Sequence, residues 1–346
     1  MYGVVVKLDR GFPLVKCNNG TFYRCEHATA LVKGQRVRAV IGDRVEIAVP
    51  EGHDKGIIES IAPRETAFVR RDPAERTSGQ VLAANFNLVI VAEPIDMLNR
   101  RRLERELVLA HETGADVAVV LTKADLMRDG QAQAVCHDVQ DLAGKDVEVL
   151  IVSTGDLASI ERVRSLVKPD EVAVLIGKSG VGKSSLVNVL VGEDVQETGS
   201  VRSRDGKGRH TTVDRVMVPI PGGGSVVDMP GVRGLGLWDA DIGLGAAFAD
   251  VESFAASCRF RDCKHVDEPG CAVLAAIDEG ELAPARLESY RSLAAEVEEV
   301  RERRDEARRL RGEKASDRKS ANRKGAGGKG VHKTARARRG RRGDSL

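Results

Sequence analysis

Apolar residues fall into short runs separated by turn residues, and the character of those runs changes twice along the chain. Residues 2–8, 13–17, 21–26, 36–40, 44–49 and 55–61 are short β-rich runs, punctuated around Gly11, Gly20, Gly34, Gly42 and Gly52. That spacing predicts a small β-barrel over residues 1–62, with an OB-fold the natural candidate. Residues 63–81 hold Pro63, Pro73, Gly79 and many charges, and read as a linker. From residue 82 the pattern alternates. Strand-like runs at 87–91, 117–121, 147–152 and 172–176 are followed by helix-like stretches at 101–113, 135–142, 160–166 and 185–191. Leu103, Leu107 and Ala110 repeat at helical spacing. This predicts an α/β domain over 82–237, a doubly wound sheet whose ligand sits at the strand carboxyl ends. A helical region over 238–312 follows, with helices expected at 248–256 and about 285–311. Leu287, Tyr290, Leu293, Ala294 and Val297 share one face of the latter.

Composition narrows the class. The chain has 346 residues, 42% hydrophobic and 31% charged, which suits a soluble globular protein. Charge enters the first residues too early for an apolar leader, and no uncharged run is long enough to span a bilayer. Both features predict a cytoplasmic protein with no membrane partner. The net charge of +2 hides an asymmetry. From Ser316 onward eleven Lys and Arg face only Asp317 and Asp344, so this end carries +9 and the rest −7. Residues 313–346 are expected to be a disordered basic tail that meets a polyanion, most simply nucleic acid; a solubilising segment is the alternative. In the barrel, Tyr2, Phe12, Phe22 and Tyr23 with Lys7, Arg10, Lys16 and Arg24 could form a stacking surface for nucleic acid, or be ordinary core and surface.

Chemistry concentrates at residues 171–185, EVAVLIGKSGVGKSS. Gly177, Lys178, Ser179, Gly180, Val181, Gly182, Lys183 and Ser184 satisfy the phosphate-loop pattern G-x-x-x-x-G-K-[ST]. Its backbone N–H groups would face a polyphosphate, with Lys183 on the β- and γ-phosphates and Ser184 on Mg²⁺. Ser185 opens the helix whose positive end faces the same anion. Upstream, Thr122-Lys123-Ala124-Asp125 leaves a strand. The Asp125 carboxylate can accept from guanine N1–H and N2–H₂, whereas adenine would leave it unpaired. Ser153 and Thr154 leave the next strand, where a backbone N–H can reach guanine O6. Ras-like GTPases carry the phosphate loop first and the base loops last. Here the order is reversed, the mark of a circularly permuted G domain.

Residues 198–213 read as a switch loop over the γ-phosphate, in which Thr211 or Thr212 can ligate Mg²⁺, with Thr212 favoured. Asp228 can hold Mg²⁺ through water and the Gly231 N–H can sense the γ-phosphate. Val232 stands where Ras-like enzymes carry a water-orienting Gln, so His210 is the candidate catalytic group; a loop histidine facing solvent is the alternative. Cys258, Cys263, His265 and Cys271 have the makings of a Cys₃His zinc site. The other thiols, Cys17, Cys25 and Cys136, read as core or surface.

TKAD ahead of GKSGVGKSS, then GRHTT, DMPG and CRFRDCKH with a later Cys, resembles the ribosome small-subunit-dependent GTPase A family (RsgA, also called YjeQ) over nearly the whole chain. The resemblance implies a cytoplasmic GTPase stimulated by the 30S subunit, acting late in its maturation through 16S rRNA, and monomeric. It implies zinc on Cys258, Cys263, His265 and Cys271, and nucleotide contacts at residues 122–125 and 177–185. Thr122 stands where the family usually has Asn, which predicts a weaker link between base loop and phosphate loop. Val213 replaces a further Thr of the switch. The competing readings are a GTP-binding scaffold with little turnover and a GTPase acting on the large subunit or tRNA.

Overall fold

The first five strands wind into a closed barrel, with buried and more exposed positions alternating most regularly in the second and fourth. They are β1 Tyr2–Asp9, β2 Phe12–Cys17, β3 Phe22–His27, β4 Arg44–Ala48 and β5 Lys55–Ile61, in the order β1-β2-β3-β5-β4 with β1 returning to β4. The β3–β5 pair is parallel and the others antiparallel, the OB-type arrangement. Val5, Val15, Cys25, Val45, Ile47 and Ile58 fill the interior. The computed structural model describes residues 1–9, 12–35, 37–71, 79–128, 130–192, 216–229, 237 and 240–326.

Residues 37–40, expected as a strand, form none. Side chains satisfy their backbone instead: the Ala39 N–H donates to His27 Nε2 at 2.9 Å and the Val40 N–H to Asp43 Oδ2 at 2.7 Å. A helical turn, Ala30–Gln35, precedes them. Asp43 is fully buried and takes both ends of the Arg64 guanidinium at 2.8 Å.

Within the segment expected as a linker, the described residues 67–71 and 79–81 are strand. β6 Ala67–Arg71 and β7 Gly79–Ala84 pair antiparallel, and Phe68 stacks on Phe86 with centroids 5.5 Å apart. The hairpin fastens the barrel: Ala84 N–H donates to Ile41 O at 3.0 Å and Asn85 Nδ2 to Gly42 O at 3.1 Å. A Cβ on Gly42, whose φ is +85°, would lie 1.9 Å from the Ala84 carbonyl oxygen, so only glycine fits.

The α/β region builds β8 Leu88–Pro94, α1 Arg100–His111, β9 Asp116–Thr122, α2 Gln131–Ala143, β10 Glu148–Ile151, α3 Leu157–Ser165, β11 Val172–Ile176, α4 Lys183–Val191, β12 Met217–Pro219 and β13 Ser225–Asp228. The sheet order is β10-β9-β8-β11-β13-β12, parallel except for β12. All seven residues of β8 are buried, as a central strand covered on both faces requires. Three-residue β12 was too short to show in the apolar pattern.

Next come α5 Asp241–Ala247, α6 Ala249–Ala255, α7 Ala272–Asp278 and α8 Pro284–Ala326. The helix expected at 248–256 is α6; α5, which was not expected, precedes it, and the two are separated at fully buried Phe248, whose φ of −121° and ψ of 37° leave the helical region. α5 crosses α1 so closely that a Cβ on Gly243 would meet Val108 O at 2.1 Å. Leu287, Leu293 and Val297 of α8 are buried with Tyr290 and Ala294 beside them. Met1–Arg301 is one compact unit and Glu302–Leu346 a second. In the second, residues 302–326 are helical, so the tail expected to be disordered from 313 keeps helix through Ala326, where Ala, Lys and Arg support it. Residues 327–346 lie outside the described residues. Among those described, no helix is long and apolar enough to cross a membrane.

Asp43→Ala should strand the Arg64 guanidinium and the Val40 N–H, costing about 3 kcal/mol of stability. Urea unfolding of the two proteins measures it.

Candidate functional site

Three loops leave the carboxyl ends of strands β9, β10 and β11 and meet at one edge of the sheet, across the end of β8. The loop after β11 turns through positive φ at Gly177, Gly180 and Gly182. Gly177 passes over β8 so tightly that a Cβ would lie 2.4 Å from Ala92 O. Lys183, 8% exposed, donates from Nζ to the carbonyls of Gly177 at 2.6 Å and Lys178 at 3.1 Å, which places its ammonium inside the loop at the N-terminus of α4. Ser184 follows on the first turn and Val181 is buried.

The loop after β9 is tied to this one. Buried Thr122 donates its hydroxyl to Val181 O at 2.6 Å and lies 3.3 Å from Glu93 O. Thr122, where a weaker link was expected, does join the two loops, directly through its hydroxyl. Lys123 adopts a left-handed φ of 60°, which turns the chain so that Ala124 N–H reaches Val152 O at 3.2 Å. Ser153, from the loop after β10, donates its hydroxyl to Asp125 Oδ1 at 3.0 Å and accepts from Gly155 N–H at 3.3 Å. An exposed carboxylate aimed by a serine, beside exposed Thr154, can present two acceptors to a planar ring.

At the end of β13, Ser184 Oγ lies 3.5 Å from Asp228 Oδ2. Asp228 Oδ1 is buried with no partner among the described residues. Burial raises the Asp228 pKa; Lys183 and the Ser184 hydroxyl pull it down. A hydroxyl and a buried carboxylate with a vacant lone pair are a donor set for a hard cation such as Mg²⁺. His210, Thr211, Thr212 and Gly231 lie outside the described residues.

Buried charges that the sequence reading passed over lie behind the loop. Glu93 is fully buried and held by Arg102, which donates from Nε at 2.6 Å and from a terminal nitrogen. Glu106 lies beside them. The signal was an acidic residue closing an otherwise apolar strand, LVIVAEP.

The cysteine cluster assembles as expected. Cys258, Cys263, His265 and Cys271 bring one ligand atom each within 4.8 Å of one another. Cys258 Sγ is 3.9 Å from Cys271 Sγ, and His265 Nδ1 is 3.6 and 3.4 Å from those two sulfurs. Tetrahedral bonds of about 2.3 Å to sulfur set ligand edges near 3.8 Å, so the cluster could hold a metal such as zinc. Glu268 shapes the turn by accepting from Lys264 and Val266 N–H, each at 2.8 Å, which holds its carboxyl down at about 2. Cys17 and Cys25 are barrel core, and Cys136 is half-buried. On the barrel Tyr2, Phe12 and Phe22 are exposed, with Lys55 5.8 Å from the Phe12 ring centroid, whereas Tyr23 packs on the core.

A family model described as RsgA GTPase matches residues 61–238, and one described as 50S ribosome-binding GTPase matches 172–305. A protein of Streptomyces avermitilis named small ribosomal subunit biogenesis GTPase RsgA is 43% identical over 317 residues, 90% of this chain and 83% of that protein. One of the same name from Streptomyces coelicolor is 42% identical over 299 residues, 86% and 81% of the two chains. Among solved structures, YjeQ from Thermotoga maritima matches with TM-score 0.66 and 26% identity, over 86% of this chain and 98% of that one. YloQ, a circularly permuted GTPase, shares the fold with TM-score 0.64 and 23% identity, over 86% and 95%.

Thr122→Val leaves the Val181 carbonyl unpaired between the two loops. A cost of about 1.4 kcal/mol, or roughly tenfold weaker GDP binding, is expected by calorimetry.

Proposed function

This chain belongs to the RsgA GTPase family and is a GTP-hydrolysing enzyme, and we propose that it binds the small ribosomal subunit with GTP, assists its late maturation and leaves after hydrolysis. The observation that carries this reading is the junction of the Asp125 loop with the phosphate loop through Thr122 and Val181. The relatives named for small-subunit biogenesis support the choice of partner.

In this reading Asp125, aimed by Ser153, selects guanine, and Lys123 lies along the base with Ala124 and Thr154 beside it. The amides of Lys178, Ser179, Gly180, Gly182 and Ser185 surround the phosphates. Lys183 leaves its loop carbonyls for the β- and γ-oxygens. Magnesium, held by Ser184, Thr212 and Asp228, supplies charge neutralisation across the β- and γ-phosphates when bound. Gly231 reports the γ-phosphate, and His210 positions the attacking water. Zinc on Cys258, Cys263, His265 and Cys271 staples the turn that precedes α7. The working domains are the barrel (1–62), the GTPase (82–237), the zinc region (238–312) and the basic tail (313–346). The protein acts as a cytoplasmic monomer, on 16S rRNA within the 30S particle.

A second reading, action on the large subunit, draws on the model described as 50S ribosome-binding GTPase. Co-sedimentation with separated subunits decides. We expect binding to 30S, at least tenfold tighter with a non-hydrolysable GTP analogue than with GDP, and 30S-stimulated turnover that His210→Ala abolishes while GTP affinity holds. Equal affinity in both nucleotide states would sink the cycle, and preference for 50S the choice of partner.

Metal analysis should find one zinc per chain, lost on Cys258→Ser or Cys271→Ser. Protein prepared without chelator and free of zinc would overturn that assignment.

A further inference from the structure

Glu93 and Glu106 are buried, and Arg102 half-buried, at the carboxyl edge of the sheet, where the nucleotide loops meet, and none has a part in the reading above. Glu93 closes β8 next to Ala92, the residue over which Gly177 passes, and its own carbonyl lies 3.3 Å from the Thr122 hydroxyl. Its side chain has no exposed surface and is gripped by two nitrogens of Arg102. Glu106, one helical turn beyond Arg102 on α1, is 7% exposed, and its Oε2 has no partner among the described residues. Burial, then the Glu93 charge, push Glu106 up to about 8, while the Glu93 carboxylate is the one that Arg102 grips directly. Besides Arg102, the cation whose charge reaches Glu106 is Lys183.

α1 is held independently of this cluster. Its other flank is tied to α8 by Glu104 with Arg286 at 3.1 Å, Arg101 with Glu288 at 3.0 Å, and Arg105 with Glu296. Loss of the Arg102 guanidinium therefore leaves the helix seated and the two carboxyls without their counter-charge. In a dry site, Lys183 is the ammonium they would attract.

We propose that Glu93 and Arg102 are positioning residues for the GTPase reaction: Arg102 neutralises the Glu93 carboxylate, so that Lys183 is not recruited as its counter-ion and keeps its ammonium for the nucleotide phosphates. This rests on residues 177–185 being the phosphate loop. It requires that the two charges be harmful singly and dispensable together, a pattern that lost packing does not produce.

The test is calorimetry of full-length protein with GDP and a non-hydrolysable GTP analogue, at pH 7 with Mg²⁺, beside GTP turnover and thermal melts. Arg102→Met should weaken both nucleotides at least tenfold and lower kcat/KM. Adding Glu93→Gln to it should recover most of that affinity while the melting temperature stays at or below that of Arg102→Met. Arg102→Lys should fall between parent and Arg102→Met. Affinity within twofold of parent in Arg102→Met, or a double variant no better than the single, overturns the proposal. If Arg102→Met yields no folded protein, Arg102→Gln with and without Glu93→Gln makes the same comparison. A parent chain that binds no GTP would instead remove the phosphate-loop reading itself, so the two failures are told apart.

Discussion

The hydrogen bond from the Thr122 hydroxyl to the Val181 carbonyl holds together the two halves of the candidate nucleotide site. Those halves come from strands that are not neighbours, because β8 lies between β9 and β11. The phosphate loop must therefore cross the end of β8 to meet the base loop. Gly177 makes the crossing, at a distance from Ala92 O where any Cβ would collide. Parallel register delivers the ends to the right height: Val91 pairs with Ile176 and Glu93 with Leu121. A bond buried at such a crossing is protected from competing water, which is why a hydroxyl suffices there.

Permutation follows from the same geometry. The sheet does not depend on where the chain is cut, provided the strand ends still converge. Cutting it so that Asp125 precedes Gly177 moves the free ends: the chain enters beside the barrel and leaves β13 toward the cysteine cluster. The strand carrying Asp228 is thus the last element of the sheet before the helical region. From Asp228 the chain continues through α5 and α6 to the cysteine cluster that opens at Cys258.

The apolar rhythm made the architecture legible because strands covered on both faces and amphipathic helices leave opposite signatures. Val172–Ile176 and Leu88–Pro94 stand out for that reason. The phosphate loop, the base loop and the cysteine cluster were legible because their chemistry demands fixed spacings. Residues 37–40 were misread because their β-propensity is real while their partners are side chains, His27 and Asp43, that no local pattern announces. The hairpin of β6 and β7 hid behind Pro73 and a run of charges. Glu93 and Arg102 escaped because a buried ion pair is a relation between a strand and a helix, visible only once α1 is folded back onto β8.

A nucleotide-driven movement has to respect how firmly each neighbour is attached. The barrel is joined to the hairpin by main-chain and buried charged groups: Ala84 to Ile41, Asn85 to Gly42, and Asp43 to Arg64. Backbone attachments packed as tightly as Gly42 against Ala84 do not slide by fractions of an ångström; they hold or break. The helical region is attached differently. Leu237, Leu244, Phe248 and Val251 share one apolar core with Leu103 and Leu107 of α1. Around that core, exposed pairs such as Arg101 with Glu288 add only about 0.2–1 kcal/mol each. Apolar surfaces tolerate small sliding of one helix over another, because dispersion and burial lack direction. The joint through α1 is therefore mixed: an apolar core able to slide, pinned where buried Glu104 meets Arg286 and where Gly243 passes Val108 O too closely for any Cβ. A re-aiming of the region that carries the cysteine cluster has to release those two points.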